Sequence, residues 1–293
     1  MPELNGDFFM HILIINSDSS DIDPLLGVLR DMDYAVDVEM GVDQAAERVK
    51  RKPYDVVMIS TSQTLDILQH IQLLRRAARG YIYVVLLFDQ MSTNDVVESG
   101  ANDFFGLEAD RQRIDGCFEN VKRLSGLVKD MGDDSQDYPS IGGIIGKSAF
   151  NQLFLSGIDR AGRNAEQSFL LQISISNFDD LYSLGGPATT DYLVAGLSHK
   201  VSKLRRQSDI AGQVGPCNFT ILLQRPAYET EPLEAAGRFV SMLRDFQNDL
   251  SGPVSPVFLS ISLVSIPSGD MLFHEVIDTQ VSASDQNITV DAV

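Results

Sequence analysis

Apolar positions in the first 130 residues form short buried runs separated by helical stripes. Ile12–Ile15, Asp55–Ile59 and Tyr83–Phe88 are near-continuous apolar runs of strand length. Tyr34–Val38 alternates like a short strand, and Asp103–Phe105 is another. Between them, Asp23–Met32 carries Leu25, Leu26 and Leu29 on one helical face, and Gln44–Arg51, Leu65–Ala78, Thr93–Gly100 and Asp110–Val128 repeat the helical spacing. Strands that alternate with helices predict a parallel sheet covered on both faces. Five such units predict a flavodoxin-like (βα)5 doubly wound domain, with its site beyond the carboxyl ends of the strands.

The pattern changes after residue 147. Lys147–Ala165 reads as a helix with Phe150, Leu153, Phe154 and Ile158 as its apolar face. A strand at Ser168–Ser176 and a long helix at Ala188–Arg206 follow. Next comes a hairpin in which Ile210 and Val214 precede the turn residues Gly215-Pro216-Cys217-Asn218 and the apolar run Phe219–Leu223. Leu233–Leu250 is helical, with Phe239, Met242, Leu243 and Phe246 on one side. Val257–Ile266 alternates as a strand, and Leu272–Val281 reads as a last helix. This order predicts an α+β domain, an antiparallel sheet with helices on one face. Residues 130–146 mix acids, Gly and Pro and read as a linker. The expected organisation is therefore 1–129, a linker at 130–146, and 147–293.

Composition narrows the function classes. The net charge of −18 is shared evenly by the two halves, so neither offers a general surface for a nucleic-acid backbone. No apolar run approaches the roughly 18–20 residues of a membrane span. The N-terminal Met-Pro-Glu-Leu-Asn-Gly-Asp has no secretory-signal pattern, so a cytoplasmic location is expected. Cys117 and Cys217 lie in different halves, which argues against a disulfide framework. The four histidines, His11, His70, His199 and His274, have no metal-ligand spacing, and no base sits near Cys217 in sequence.

Tyr54-Asp-Val-Val-Met-Ile-Ser60 and Gly100-Ala-Asn-Asp103 resemble the receiver domain of two-component response regulators, over about residues 10–125. That resemblance implies a carboxylate phosphoacceptor after the third strand, two acids after the first for Mg²⁺, a hydroxyl after the fourth and a lysine after the fifth. Here those positions hold Ser60, Asn16 and Ser17, Phe88, and Leu107. Asp55 begins the third strand, roughly 16 Å from the active end. Asp18 and Asp89 are nearer and are the remaining acids able to hold a cation, although solvated loop acids are the plainer reading. The expectation is a pseudo-receiver that serves as a docking or dimerisation surface, through the helices Thr93–Gly100 and Asp110–Val128.

The hairpin at Gly215-Pro216-Cys217-Asn218-Phe219 resembles the signature turn of the GGDEF domain of diguanylate cyclases, a likeness that spans about residues 140–285. Phe178, Gly186, Asp191 and Ser260-Ile261 match its frame. Cyclase chemistry requires carboxylates for Mg²⁺ at the triphosphate. The family's acid on the first strand corresponds to Ser174, with Ser176 nearby replacing a second. The acidic pair of the turn corresponds to Cys217 and Asn218. Pro216 stands for the second glycine, Tyr182 for the guanine-reading asparagine, Asp179 for a lysine, and Asp285 for a late lysine. No catalytic residue and no metal site is therefore expected, and no cofactor is required.

Five residues before the turn, Arg206-Gln-Ser-Asp209 falls where many GGDEF domains carry an Arg-x-x-Asp site for cyclic di-GMP. A guanidinium can grip phosphate or the guanine O6/N7 edge, and a carboxylate can accept from guanine N1–H and N2–H. The motif is short, and Arg30-Asp-Met-Asp33 repeats it; a salt bridge at a helix end is the structural alternative. The function implied is a non-catalytic signalling protein that binds cyclic di-GMP through Arg206 and Asp209. The alternative is a ligand-independent scaffold. The implied partners are a kinase, a cyclase, a motility component, or a second copy of the chain.

Overall fold

The computed structural model describes residues 10–18, 20–60, 66–88, 93–133, 136–138, 143–164, 167–224, 226–249 and 256–279. The chain divides into two compact units. The first holds the described residues of Met1–Gly132, Leu155–Gln167 and Ile266–Asp270; the second holds those of Asp133–Phe154, Ser168–Ser265 and Met271–Val293.

The first unit is built on five parallel strands, β1 (His11–Asn16), β2 (Ala35–Glu39), β3 (Val56–Ser60), β4 (Tyr83–Leu87) and β5 (Asp103–Phe105). Their order is β2-β1-β3-β4-β5, the flavodoxin-like order. The helices α1 (Asp23–Asp31), α2 (Val42–Arg51), α3 (Ile67–Ala77), α4 (Thr93–Ser99) and α5 (Arg111–Gly132) alternate with the strands. β3 and β4 are buried at every position, which is why they read as unbroken apolar runs. Asn102 shows why a polar residue follows α4. Buried, it accepts from Val84 N–H at 2.8 Å and the Arg75 guanidinium at 3.0 Å, and donates to Tyr81 Oη and Pro267 O, both at 2.7 Å. All four of its hydrogen-bonding positions are filled.

The second unit has a five-stranded sheet in the order β10-β9-β6-β8-β7. The strands are β6 (Ser168–Ile175), β7 (Ile210–Gln213), β8 (Asn218–Gln224), β9 (Phe258–Ile266) and β10 (Met271–Asp278). β10 pairs with β9, β6 with β8, and β7 with β8, each antiparallel. Phe169, Leu171 and Ile173 on β6 meet Leu193 and Leu197 of α7 (Phe178–Leu204) and Phe239 of α8 (Glu231–Leu243) in one core. The α7 chain breaks at Gly186, whose φ of 70° is left-handed; a glycine here lets the two helical segments meet at an angle ahead of Pro187.

Several expectations are corrected. Residues 272–281 do not form a helix: Met271–Asp278 is strand β10, paired to β9 across the turn at Pro267-Ser-Gly-Asp270. Helices flank both faces of the second sheet. Ala211 faces the core shared with α7 and α8, whereas a Cβ on neighbouring Gly212 would meet the Phe150 ring of α6 (Lys147–Asn164) at 2.6 Å. Leu153 and Met242, expected on buried stripes, are 39% and 48% exposed. The helix expected to reach Leu250 ends at Leu243, and a short 3-10 turn, Phe246–Asp249, follows. The presumed linker is structured at its end: Ile144 joins the second core, and Ile145 bridges to Gly212.

Candidate functional site

Two places in the chain bear on chemistry. In the first unit, the ends of β1 and β3 lie side by side, with Asn16 opposite Ser60. Ser60 is buried, and its hydroxyl donates to Asp18 Oδ1 at 3.3 Å. Ser20 donates its hydroxyl to the same oxygen at 2.7 Å, while Asn16 is tied to the Ser20 backbone in both directions. Burial works against the Asp18 anion, but the Ser20 and Ser60 hydrogen bonds outweigh it and hold the carboxyl below its ordinary value. One carboxylate, already engaged by two hydroxyls, does not match the acid set that Mg²⁺ takes. Asp89 lies outside the described residues. Asp55 is at the opposite end of β3, where it accepts the His11 N–H at 2.8 Å.

In the second unit the signature turn is formed as the sequence suggests. Val214 N–H donates to Asn218 O at 2.9 Å, closing the β7–β8 hairpin. A Cβ at Gly215 would meet the amide nitrogen of the Asn218 side chain at 2.6 Å, so a larger residue there would make that side chain turn aside. The register sets Ser174 of β6 directly opposite Asn218 of β8. Ser174, Cys217 and Asn218 thus stand together where the resemblance implies metal carboxylates. Cys217 is buried, its Sγ 3.7 Å from Ile175 O and 3.5 Å from Asn218 Oδ1, and burial pushes its thiol up. Pro216 is exposed and offers no N–H. Phe219 is fully buried in the core and anchors the turn. Ser176 donates to Phe258 O at 3.1 Å, and Tyr182 and Asp191 are exposed on α7. Asp285 lies outside the described residues. This donor set does not fit a magnesium–triphosphate centre, which takes carboxylate oxygens. Among the described residues, no group of three or more His, Cys, Asp or Glu side chains is placed to hold a metal ion.

Arg206 and Asp209 come together, but not as an ion pair. Asp209, buried, accepts the backbone N–H of Arg206 at 2.9 Å, and its own N–H donates to Arg206 O at 3.1 Å. The Arg205 guanidinium caps the same turn by donating to Asp209 O at 3.0 Å. The turn therefore fixes Asp209 and leaves the Arg206 side chain half exposed. Its guanidinium pairs with Glu231 in the first turn of α8.

Both residues line a cleft of about 310 Å³, with Ser208, Gln224, Glu231 and Arg238. Glu231, Ala235 and Arg238 sit at i, i+4 and i+7 on α8, so one helical face supplies that wall. Nη2 of Arg238 is buried without a hydrogen-bond partner among the described residues. Arg238 and Glu231 were not legible as site residues. The available signal was a cation at helical spacing from an acid, a weak pattern on any helix.

The family model described as "Diguanylate cyclase, GGDEF domain" matches residues 137–286. Among curated proteins, none matches the chain significantly. Among solved structures, the GGDEF domain of PA1120 (YfiN or TpbB) from Pseudomonas aeruginosa is 20% identical, with a TM-score of 0.36 over 41% of this chain and 74% of that one. The GGDEF domain of DgcB from Caulobacter crescentus, solved in complex with c-di-GMP, is 13% identical, with a TM-score of 0.36 over 42% and 74%. The receiver domain of the sensor histidine kinase PA1611 from Pseudomonas aeruginosa PAO1, solved with magnesium in its active-site cleft, is 18% identical, with a TM-score of 0.34 over 40% and 98%.

Proposed function

Because the chain belongs to the GGDEF family, matched over residues 137–286, we propose that it is a cyclic di-GMP receptor that does not itself make the dinucleotide. The observation that carries this reading is the contrast between two places on one domain. The ancestral metal position holds Ser174, Cys217 and Asn218, none of which is a carboxylate. A cleft at the other end of β8, where Leu223 and Gln224 line it, brings two guanidiniums, Arg206 and Arg238, and a positioned carboxylate, Asp209, around one cavity. Arginines offer paired donors to phosphate or to the guanine O6/N7 edge, and a carboxylate accepts from guanine N1–H and N2–H. The cleft's size suits part of a dinucleotide rather than all of it, so half of the ligand would remain exposed to a partner.

The first unit then acts through its surface. Its phosphoacceptor position is Ser60, hydrogen-bonded to Asp18, which leaves no carboxylate nucleophile there. Ligand binding alters the protein's association with a signalling partner: a kinase, a cyclase, a motility component or a second copy. A ligand-independent scaffold is the second reading, and the pairing of Arg206 with Glu231 favours it, because the guanidinium already has an anion.

Calorimetric titration with cyclic di-GMP, at about 100 μM protein, separates the two. Binding that is lost in Arg206→Ala supports the receptor. No heat, or equal affinity in Arg206→Ala, removes it. Incubation with labelled GTP and Mg²⁺ is expected to yield no cyclic product, and sustained turnover contradicts the non-catalytic part.

A further inference from the structure

Resting on the reading of this cleft as a cyclic di-GMP site, we propose that Glu231 is a built-in competitor for the ligand. Its carboxylate occupies the Arg206 guanidinium in the free protein, and it must be displaced before a phosphate or a guanine edge can take that place.

The geometry distinguishes this role from that of a ligand-reading acid. Both Glu231 oxygens are already committed: Oε1 to the Arg206 guanidinium, Oε2 to the Ala227 N–H at 2.5 Å. The Glu231 side chain is only 14% exposed, against 50% for Arg206, so the acid is the enclosed member of the pair and the arginine the one that faces solvent. Asp209 is built differently. Its carboxylate is set by the Arg206 N–H at 2.9 Å and leaves the guanidinium alone. The cleft thus contains one acid that positions the chain and one that neutralises a cation.

Charge points the same way. The charged residues lining the cleft are Arg206, Arg238, Asp209 and Glu231, two of each sign. A cyclic dinucleotide brings two negative phosphates to a wall whose charges cancel. With Glu231 neutral, the same wall carries a net positive charge and an unoccupied guanidinium. Arg238 lines the same cleft, and its buried Nη2 has no hydrogen-bond partner among the described residues, so no carboxylate holds that nitrogen. Arg206 becomes available only when Glu231 lets go. The competition weakens the site without changing its shape, and makes occupancy depend on whatever moves the first turn of α8.

The test is Glu231→Gln. Glutamine keeps the carbonyl that accepts the Ala227 N–H and loses the charge, so the helix start survives; an unchanged melting temperature checks this. Cyclic di-GMP is expected to bind Glu231→Gln about fivefold more tightly than the wild type, as release of a partly exposed ion pair allows. The gain is expected to vanish in an Arg206→Ala background. Unchanged or weaker binding by Glu231→Gln, with wild-type binding intact, overturns the competitor role and leaves the receptor reading standing. Pyrophosphate is the second probe. If cyclic di-GMP binds neither protein but pyrophosphate binds Glu231→Gln more tightly than wild type, the receptor reading falls and the competitor survives. If neither probe distinguishes the two proteins, the competitor role is wrong.

Discussion

Alanine at Asp209 and at Arg206 should affect stability in opposite measure. Asp209 is 8% exposed and accepts the Arg206 N–H at 2.9 Å, so it closes the turn that leads from α7 into β7. Truncating it leaves that backbone donor without its acceptor, a loss comparable to removing a helix cap, about 1–2 kcal/mol. For a unit of this size the melting transition should fall by about 2–8 °C. The Arg206 side chain is half exposed, and its partner Glu231 keeps the Ala227 N–H when the arginine is removed. Its truncation should leave the transition within about 1 °C of wild type. Thermal unfolding followed by far-ultraviolet circular dichroism reads both. Asp209→Asn is the control: the amide oxygen still accepts the N–H, so stability largely returns, but the amide replaces an anion that guanine donors would use, so cyclic di-GMP binding should still fall. A larger loss of stability in Arg206→Ala than in Asp209→Ala would refute this division of labour.

Two further outcomes follow from the electrostatics. The Lys52 and Tyr54 hydrogen bonds hold the Asp37 carboxyl at about 2, below the ordinary 3.8. A depressed folded value means the stabilisation is present above pH 4 and is lost as pH falls from about 4 to about 2. Urea midpoints at pH 5 and pH 2.5 should therefore differ less for Asp37→Asn than for wild type; an equal difference argues against it. Burial raises both thiols, Cys117 well above its usual value, so iodoacetamide at pH 8 should modify the native protein slowly and both cysteines readily in denaturant. Labelling of native Cys217 at the rate of a free thiol would show that the turn opens.

The legible part of the fold was the part in which period and burial agree. Ile12–Ile15 and Tyr83–Leu87 are buried on both faces, and such runs have only one reading between helices. The β10 segment carries a helix-like pattern although it is a strand, because Leu272 and Val276 are four apart, a spacing shared by one helical turn and two strand repeats. The arbiter was the Pro267–Asp270 turn: it places Phe273 and Ile277 inward and leaves Leu272 and Val276 exposed on the other side. Ile144 and Ile145 hid in a stretch whose Gly, Pro and acids read as linker, because a parallel bridge to a distant strand leaves no local mark. The candidate site was half legible. Arg206, Asp209 and the turn at Gly215 sit at fixed offsets along the chain, so a motif finds them. Glu231 and Arg238 reach the cleft through the packing of α8, which no local pattern encodes.

The most direct measurement is a crystal structure of the full chain grown with cyclic di-GMP, GTP and Mg²⁺ together. The account predicts cyclic dinucleotide against Arg206, Asp209 and Arg238, with Glu231 turned away from Arg206. A metal-bound nucleotide seated between Ser174 and Asn218, with the Arg206 cleft still closed on Glu231, would contradict it.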